Sequence, residues 1–167
     1  MAWLHNGITL KVGKGWSDED KEQWGVTWQD DPDTSYDDRF YWAKDVPRSL
    51  TDINEVDDDG DAILDADGNQ VVTLGLKSIW VAQTKTTANS LLASSDWYVT
   101  RKAETDEAIP STITTYRTAV RTASGTIETA VNGCADLDAF KALFVVPVDS
   151  DGEPTGNAPI YDFPEEV

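Results

Sequence analysis

Cysteine and histidine each occur once in 167 residues. The lone Cys134 excludes an internal disulfide, and its place on the apolar face of an expected helix marks it as a buried, inert thiol. The lone His5 excludes a metal site built on several histidines, and any Ser-His-Asp triad would have to use it. No apolar run approaches the ~20 residues that span a bilayer. The chain opens without a basic segment followed by an apolar one, so no secretory leader is expected and a cytoplasm is the expected location. Bases are scarce: 13 Lys and Arg stand against 31 Asp and Glu, for a net charge of −18. Residues 1–16 carry +2, residues 17–67 carry −14, residues 68–144 are neutral and residues 145–167 carry −6. Phosphate backbones need a basic face, so no direct nucleic-acid binding is expected. Neither a G-x-x-x-x-G-K loop nor a G-x-G-x-x-G loop occurs. With no activated nucleophile or metal cluster to read, no enzyme and no cofactor are expected.

The chain is rich in tryptophan, and five of its seven tryptophans precede residue 43. Asn6-Gly7 signals a turn, and Ile8, Leu10 and Val12 alternate as a strand does. Ser17 followed by Asp20 reads as a helix start. Trp24, Val26 and Trp28 alternate as a half-buried strand, and Phe40 to Trp42 supply another. Asp67-Gly68-Asn69 between Ile63-Leu64 and Val71-Val72 reads as a β-hairpin.

After Gly75 the period becomes helical. Residues 76–94 read as a helix through Leu76, Ile79, Trp80, Gln83, Thr87, Ala88, Leu91 and Leu92. A polar connection is expected up to Pro110, which suits a helix start. Ile113, Tyr116, Val120, Ala123, Ile127, Ala130 and Cys134 then form a heptad stripe with gaps of three and four. Ile113, Val120 and Ile127 are expected in the core against Ile79, Trp80 and Leu91. Asp136 is expected to cap a third short helix burying Leu137, Phe140 and Leu143-Phe144. The tail carries four of the seven prolines and no helical period, and is expected to be extended or disordered until something binds it. The expected fold is α+β in three parts: a Trp-rich acidic antiparallel β unit over 1–74, a helical hairpin unit over 75–144 and an acidic tail over 145–167. No internal repeat is read.

Two stretches could carry function. In residues 57–68, Asp57, Asp59 and Asp61 match the first three ligand positions of an EF-hand loop. Ala62 and Gly68 stand where that loop needs Gly and a bidentate Glu. A solvated acidic turn is the favoured reading, and weak calcium binding the alternative. In residues 95–122, Asp96, Trp97, Tyr116, Arg117 and Arg121 admit two readings. In the first, Trp97 packs against the hairpin, Asp96 pins a turn and the arginines answer Glu104, Asp106 and Glu107. In the second, the five residues form a partner site, since Trp, Tyr and Arg dominate interface energetics. In both, Arg117 and Arg121 are expected to be partly exposed and dispensable for stability.

The order "LLASSDWYVTRKAE", "AIP", "YRTAVR" resembles the C-terminal part of phage tail fibre assembly proteins. Leu91, Leu92, Asp96, Trp97, Tyr116, Arg117 and Arg121 match that pattern, while Val120 replaces its Leu. The match covers about residues 76–125. The front half, with "DDRFYW", is similar to tail-associated proteins of cyanobacterial and marine phages. This resemblance implies a helper that binds a tail fibre or another tail protein in the host cytoplasm while the fibre trimerises. The alternative it implies is a permanent fibre, baseplate or decoration subunit, homo-oligomeric within a virion.

Overall fold

The computed structural model of the protein describes residues 2–5, 8–10, 16–29 and 34–166, with the backbone alone for 2–5, 8–10 and 27–29. The fold is α+β. Strands β1 (Ala2–His5), β2 (Ile8–Leu10) and β3 (Thr27–Gln29) form an antiparallel sheet in the order β2-β1-β3. The expected turn at Asn6-Gly7 and the alternating Val12 lie outside the described residues. Helix α1 (Asp18–Gln23) starts on the expected Ser17, with a full capping box: the Ser17 hydroxyl accepts from the Asp20 amide and the Asp20 carboxylate accepts from the Ser17 amide.

The strand expected from Trp24 begins only at Thr27. Gly25 takes φ 61°, the Val26 amide donates to Lys21 and the Gly25 amide to Glu22. That is a Schellman closure, and it spends Trp24 and Val26 on ending α1. The strand expected over Phe40 to Trp42 is β4 (Tyr41–Ala43), one residue later, and it pairs with β5 (Val46–Pro47) in a hairpin.

Residues 53–73 form a small ribbon with β6 (Ile53–Asn54) paired to β7 (Val72–Thr73). Between them, Val56 bridges Ala62 and Leu64 bridges Gln70. The backbone bonds close a ring: Glu55 donates to Val71, Val71 to Ile63 and Ile63 to Glu55. The Gln70 side-chain amide sits inside that ring and donates to the same three carbonyls, at 2.7, 3.2 and 2.9 Å. Gln70→Ala should remove about 1–2 kcal/mol of local stability by leaving these carbonyls one donor short. Hydrogen exchange should quicken at the amides of Glu55, Ile63 and Val71, with the long helices still protected.

The expectation of no internal repeat is corrected here. Residues 56–62, 64–70 and 148–154 read V-D-D-D-G-D-A, L-D-A-D-G-N-Q and V-D-S-D-G-E-P, and all three fold alike. In each, the first Asp (57, 65, 149) accepts with Oδ1 from the amides two and four residues on. Its Gly takes φ between +83° and +88°, which glycine adopts without strain. A β-bridge closes each turn. The motif escaped notice because its third copy lies about eighty residues from the second. Asp57 therefore uses its carboxylate to hold a turn, and Asp59 and Asp61 supply the amides. Among the described residues, no group of three or more His, Cys, Asp or Glu is placed to hold a metal ion.

Helices α2 (Leu76–Ala93) and α4 (Ser111–Gly133) form the expected hairpin, and α5 (Leu137–Ala142) follows. Asp136 caps α5 by accepting from the Ala139 amide at 2.8 Å. Phe140, Val120 and Val131 are completely buried, and Ile127 nearly so. Val120 shares a core cluster with Leu91, and Ile127 one with Trp80, as expected, whereas Ile113 and Ile79, also expected in the core, are only half-buried and join neither cluster. Arg117, Ser124 and Val131 widen the buried stripe beyond the two heptad positions. On α2, Thr84 is buried and the expected Gln83 is exposed. The Thr84 hydroxyl donates back to the Trp80 carbonyl at 2.8 Å, so its polar atom is satisfied within the helix.

Two expectations fail on this side of the molecule. The connection before Pro110 is a third helix, α3 (Asp96–Thr105), held by polar rather than apolar spacing. Asp106 ends it at φ 59°, Lys102 pairs with Asp106 and Arg101 with Glu107. The tail is also ordered. A 3-10 turn (Pro159–Tyr161) places Ile160 in the main core, and the Ile160 amide donates to Leu143 at 3.0 Å. Phe163 packs against both clusters of core residues, and Glu166 meets Ser94 at 3.1 Å. Phe40, Leu50, Val131, Phe140, Ala158 and Ile160 thus meet in one cluster drawn from all three expected parts. No helix among the described residues is long and apolar enough to cross a membrane.

Candidate partner-binding site

Helix α2 ends at Ala93 and α3 starts at Asp96, so two helix termini meet across Ser94-Ser95. The last carbonyls of α2 have no partner within the helix and need donors. The Ser95 amide and hydroxyl both donate to the Leu92 carbonyl. The third donor comes from α4: Arg117 Nη1 reaches Leu92 at 3.0 Å and the Ser95 hydroxyl at 2.6 Å. Arg117 Nη2 then pairs with Asp96 at 2.9 Å. One guanidinium therefore places positive charge at the negative end of α2 and holds the acid that faces the positive end of α3. Tyr116 donates to Leu91 at 3.4 Å. Burial, with Glu166 adding to it, pushes the Tyr116 phenol above its usual range.

Arg117 is only 7% exposed and Tyr116 is buried. The expectation of a partly exposed, dispensable Arg117 is corrected, because neither residue can present its head group to a partner. The arginines do not answer Glu104, Asp106 and Glu107 either: Arg117 takes Asp96, while Arg101 and Lys102 take Glu107 and Asp106. Arg121 is exposed one turn along α4, with Nη1 3.4 Å from the Arg117 carbonyl. Asp96 is exposed on one side and ion-paired on the other.

Trp97 is not packed into the core against the hairpin, as the first reading expected. It lies on α3, half-exposed, because the segment is helical and carries the ring outward. Its ring stacks on Tyr98 with centroids 3.9 Å apart and planes 30° apart. The Arg101 guanidinium covers both rings, 4.8 Å from Trp97 and 5.2 Å from Tyr98. Beside the stack, a depression of about 230 Å³ is lined by Ser94, Ser95, Trp97, Tyr98, Ile113, Tyr116 and Glu166. Tyr98 and Arg101 belong to this surface and were missed in the sequence. Arg101 lies four residues from Trp97 and three from Tyr98, a helical spacing that was a usable signal, hidden because the segment reads as a loop.

A larger groove of about 490 Å³ runs along α2 between Arg39, Arg48, Trp80, Tyr161 and Phe163. Its cations are already engaged. Arg39 forks onto Asp37, holding that carboxyl below the usual range, and Arg48 lies 4.0 Å over the Trp42 ring. Comparison with family models, with curated proteins and with solved structures found no match to this chain.

Proposed function

We propose that the protein is a non-enzymatic accessory of phage tail assembly that binds a tail fibre through α3. The observation that carries this reading is the half-exposed Trp97 ring, stacked on the less exposed Tyr98 and Arg101 of a helix whose start is clamped to the core by Arg117. Aromatic and arginine side chains that are held rigid and left half-exposed supply contact area at low entropic cost. The ordered Leu91-Leu92, Asp96-Trp97, Tyr116-Arg117 and Arg121 pattern, similar to that of tail fibre assembly proteins, supplies the partner class. The rival reading, a permanent virion subunit, would gain support from a tail free to wrap a neighbour. That support is lacking, since Ile160 and Phe163 are packed in this chain's own core clusters.

Co-expression with a phage tail fibre tests the proposal. The yield of soluble fibre trimer should rise several-fold when this protein is present, and purified particles should lack it. An unchanged trimer yield contradicts the assembly role, and a stoichiometric band in particles favours the virion subunit.

A further inference from the structure

We propose that the cleft along α2 binds a small zwitterion with a large apolar side chain, the chemistry of a free aromatic or aliphatic α-amino acid. The floor of the cleft is apolar: Leu76 and Ile160 are buried, and Ile79, Trp80 and Phe163 are half-buried. The Trp80 ring is set edge-on to Phe144 and Tyr161, with centroids 4.7 and 6.2 Å away, so the floor is held in one shape. A volume of about 490 Å³ is that of a small-molecule site.

Charge selects the ligand. Asp38, Arg39 and Arg48 border the floor. Among the described residues, Arg39, Arg101 and Arg117 each hold a carboxylate, whereas Arg48 and Arg121 hold none, and of those two only Arg48 is half-buried. Trp42 covers the face of the Arg48 guanidinium and leaves its N–H edge. Of the donors on that edge one is used, Nη1 to the Asp38 carbonyl at 3.3 Å. That bond sets Asp38 beside Arg48, yet among the described residues the Asp38 carboxylate takes no cation and no hydrogen bond. One unspent cation and one unspent anion therefore stand together beside the apolar floor. A plain anion would meet the charge of Asp38 and a plain cation that of Arg48, so a ligand bearing both charges on one carbon answers the pair. This cleft and the depression beside Trp97 share no residue, so the two readings stand or fall separately.

L-tryptophan titrated into the full chain, followed by calorimetry and by amide and indole NMR, tests this. Shifts should concentrate at Asp38, Arg48, Trp80 and Tyr161. N-acetyl-L-tryptophan lacks the ammonium and L-tryptophanamide the carboxylate, and each should bind at least about tenfold more weakly. Glycine, which has both charges and no apolar body, should not bind. Arg48→Gln and Asp38→Asn should each weaken L-tryptophan by about tenfold. Asp38→Asn should also close the gap between L-tryptophan and its N-acetyl form, which a merely structural role for Asp38 would leave open. Should Arg48→Gln unfold the hairpin, Asp38→Asn still decides, because it keeps the main-chain carbonyl that holds Arg48. No saturable binding at millimolar L-tryptophan, shifts centred elsewhere, equal binding of either analogue, or indifference to Asp38→Asn would each overturn the proposal. N-acetyl-L-tryptophanamide binding as tightly as L-tryptophan would overturn it in favour of a polypeptide segment.

Discussion

Arg117→Ala should destabilise the protein by about 2–4 kcal/mol, a fall in melting temperature of about 5–15 °C for a chain of this size. The loss has two parts. The Leu92 carbonyl and the Ser95 hydroxyl lose a charged donor in a buried place, and the aliphatic stem of a 7%-exposed arginine leaves a void. Asp96 moderates the cost, because its exposed carboxylate can return to water. Lysine should recover less than half of the loss, since one ammonium cannot reach three acceptors in the fork's geometry. Arg121→Ala, on the exposed side of the same helix, should stay within about 0.5 kcal/mol of the parent. If Arg117→Ala melts with the parent, the clamp between α2, α3 and α4 is not what holds this junction.

Gly75→Ala should be at least as damaging, by on the order of 3 kcal/mol or more. The backbone at Gly75 is ordinary, with φ −76° and ψ 166°, so alanine suffers no conformational penalty. The cost is steric. A Cβ there would overlap the Thr51 carbonyl group and come within 2.7 Å of the Leu50 carbonyl carbon. Those are backbone atoms that cannot swing aside. The close approach lets the Leu76 and Lys77 amides donate to Ser49 and Leu50, and lets Asp52 accept from the Gly75 amide at 2.8 Å. That bond, with one from Ser78, holds the Asp52 carboxyl below its usual range. Circular dichroism of Gly75→Ala should show a lower, broader melt. A parent-like melt would mean that the joint between ribbon and helix is not close-packed.

Where side chains repeat with a period, the sequence could be read. The stripe from Tyr116 to Cys134 faces the core because a helix brings every third or fourth residue to one side, and Asp136 caps because its carboxylate meets a free amide. The acidic turns were half legible: Asp67-Gly68-Asn69 signals one hairpin by itself, but the identity of three turns emerges only when residues 56–62 and 148–154 are set beside it. Helix α3 was illegible to a hydrophobic pattern, because charge pairs and an αL aspartate hold it and no apolar stripe does. The tail misled for a different reason. Four prolines and six acids suggest a free chain, yet Ile160 and Phe163 are enough to dock it once α2 and α4 have built a cleft.

The candidate site divides along a line that no residue type marks. Arg117 and Arg121 are four residues apart and chemically identical, and one is buried while the other is exposed. What separates them is the end of α2, whose unpaired carbonyls lie opposite one arginine and not the other. Tyr116 and Trp97 separate likewise, one donating into the junction and the other carried outward on α3. Asp-Trp and Tyr-Arg thus serve two ends: the buried half builds the clamp, and the exposed half is what a partner can touch.

Calorimetric titration of Trp97→Ala against the purified distal part of the fibre tests that division most directly. The variant should melt within a few degrees of the parent and bind at least about thirtyfold more weakly, the loss of a central interface tryptophan being worth about 2 kcal/mol or more. Parent-like affinity in a folded Trp97→Ala protein would contradict it.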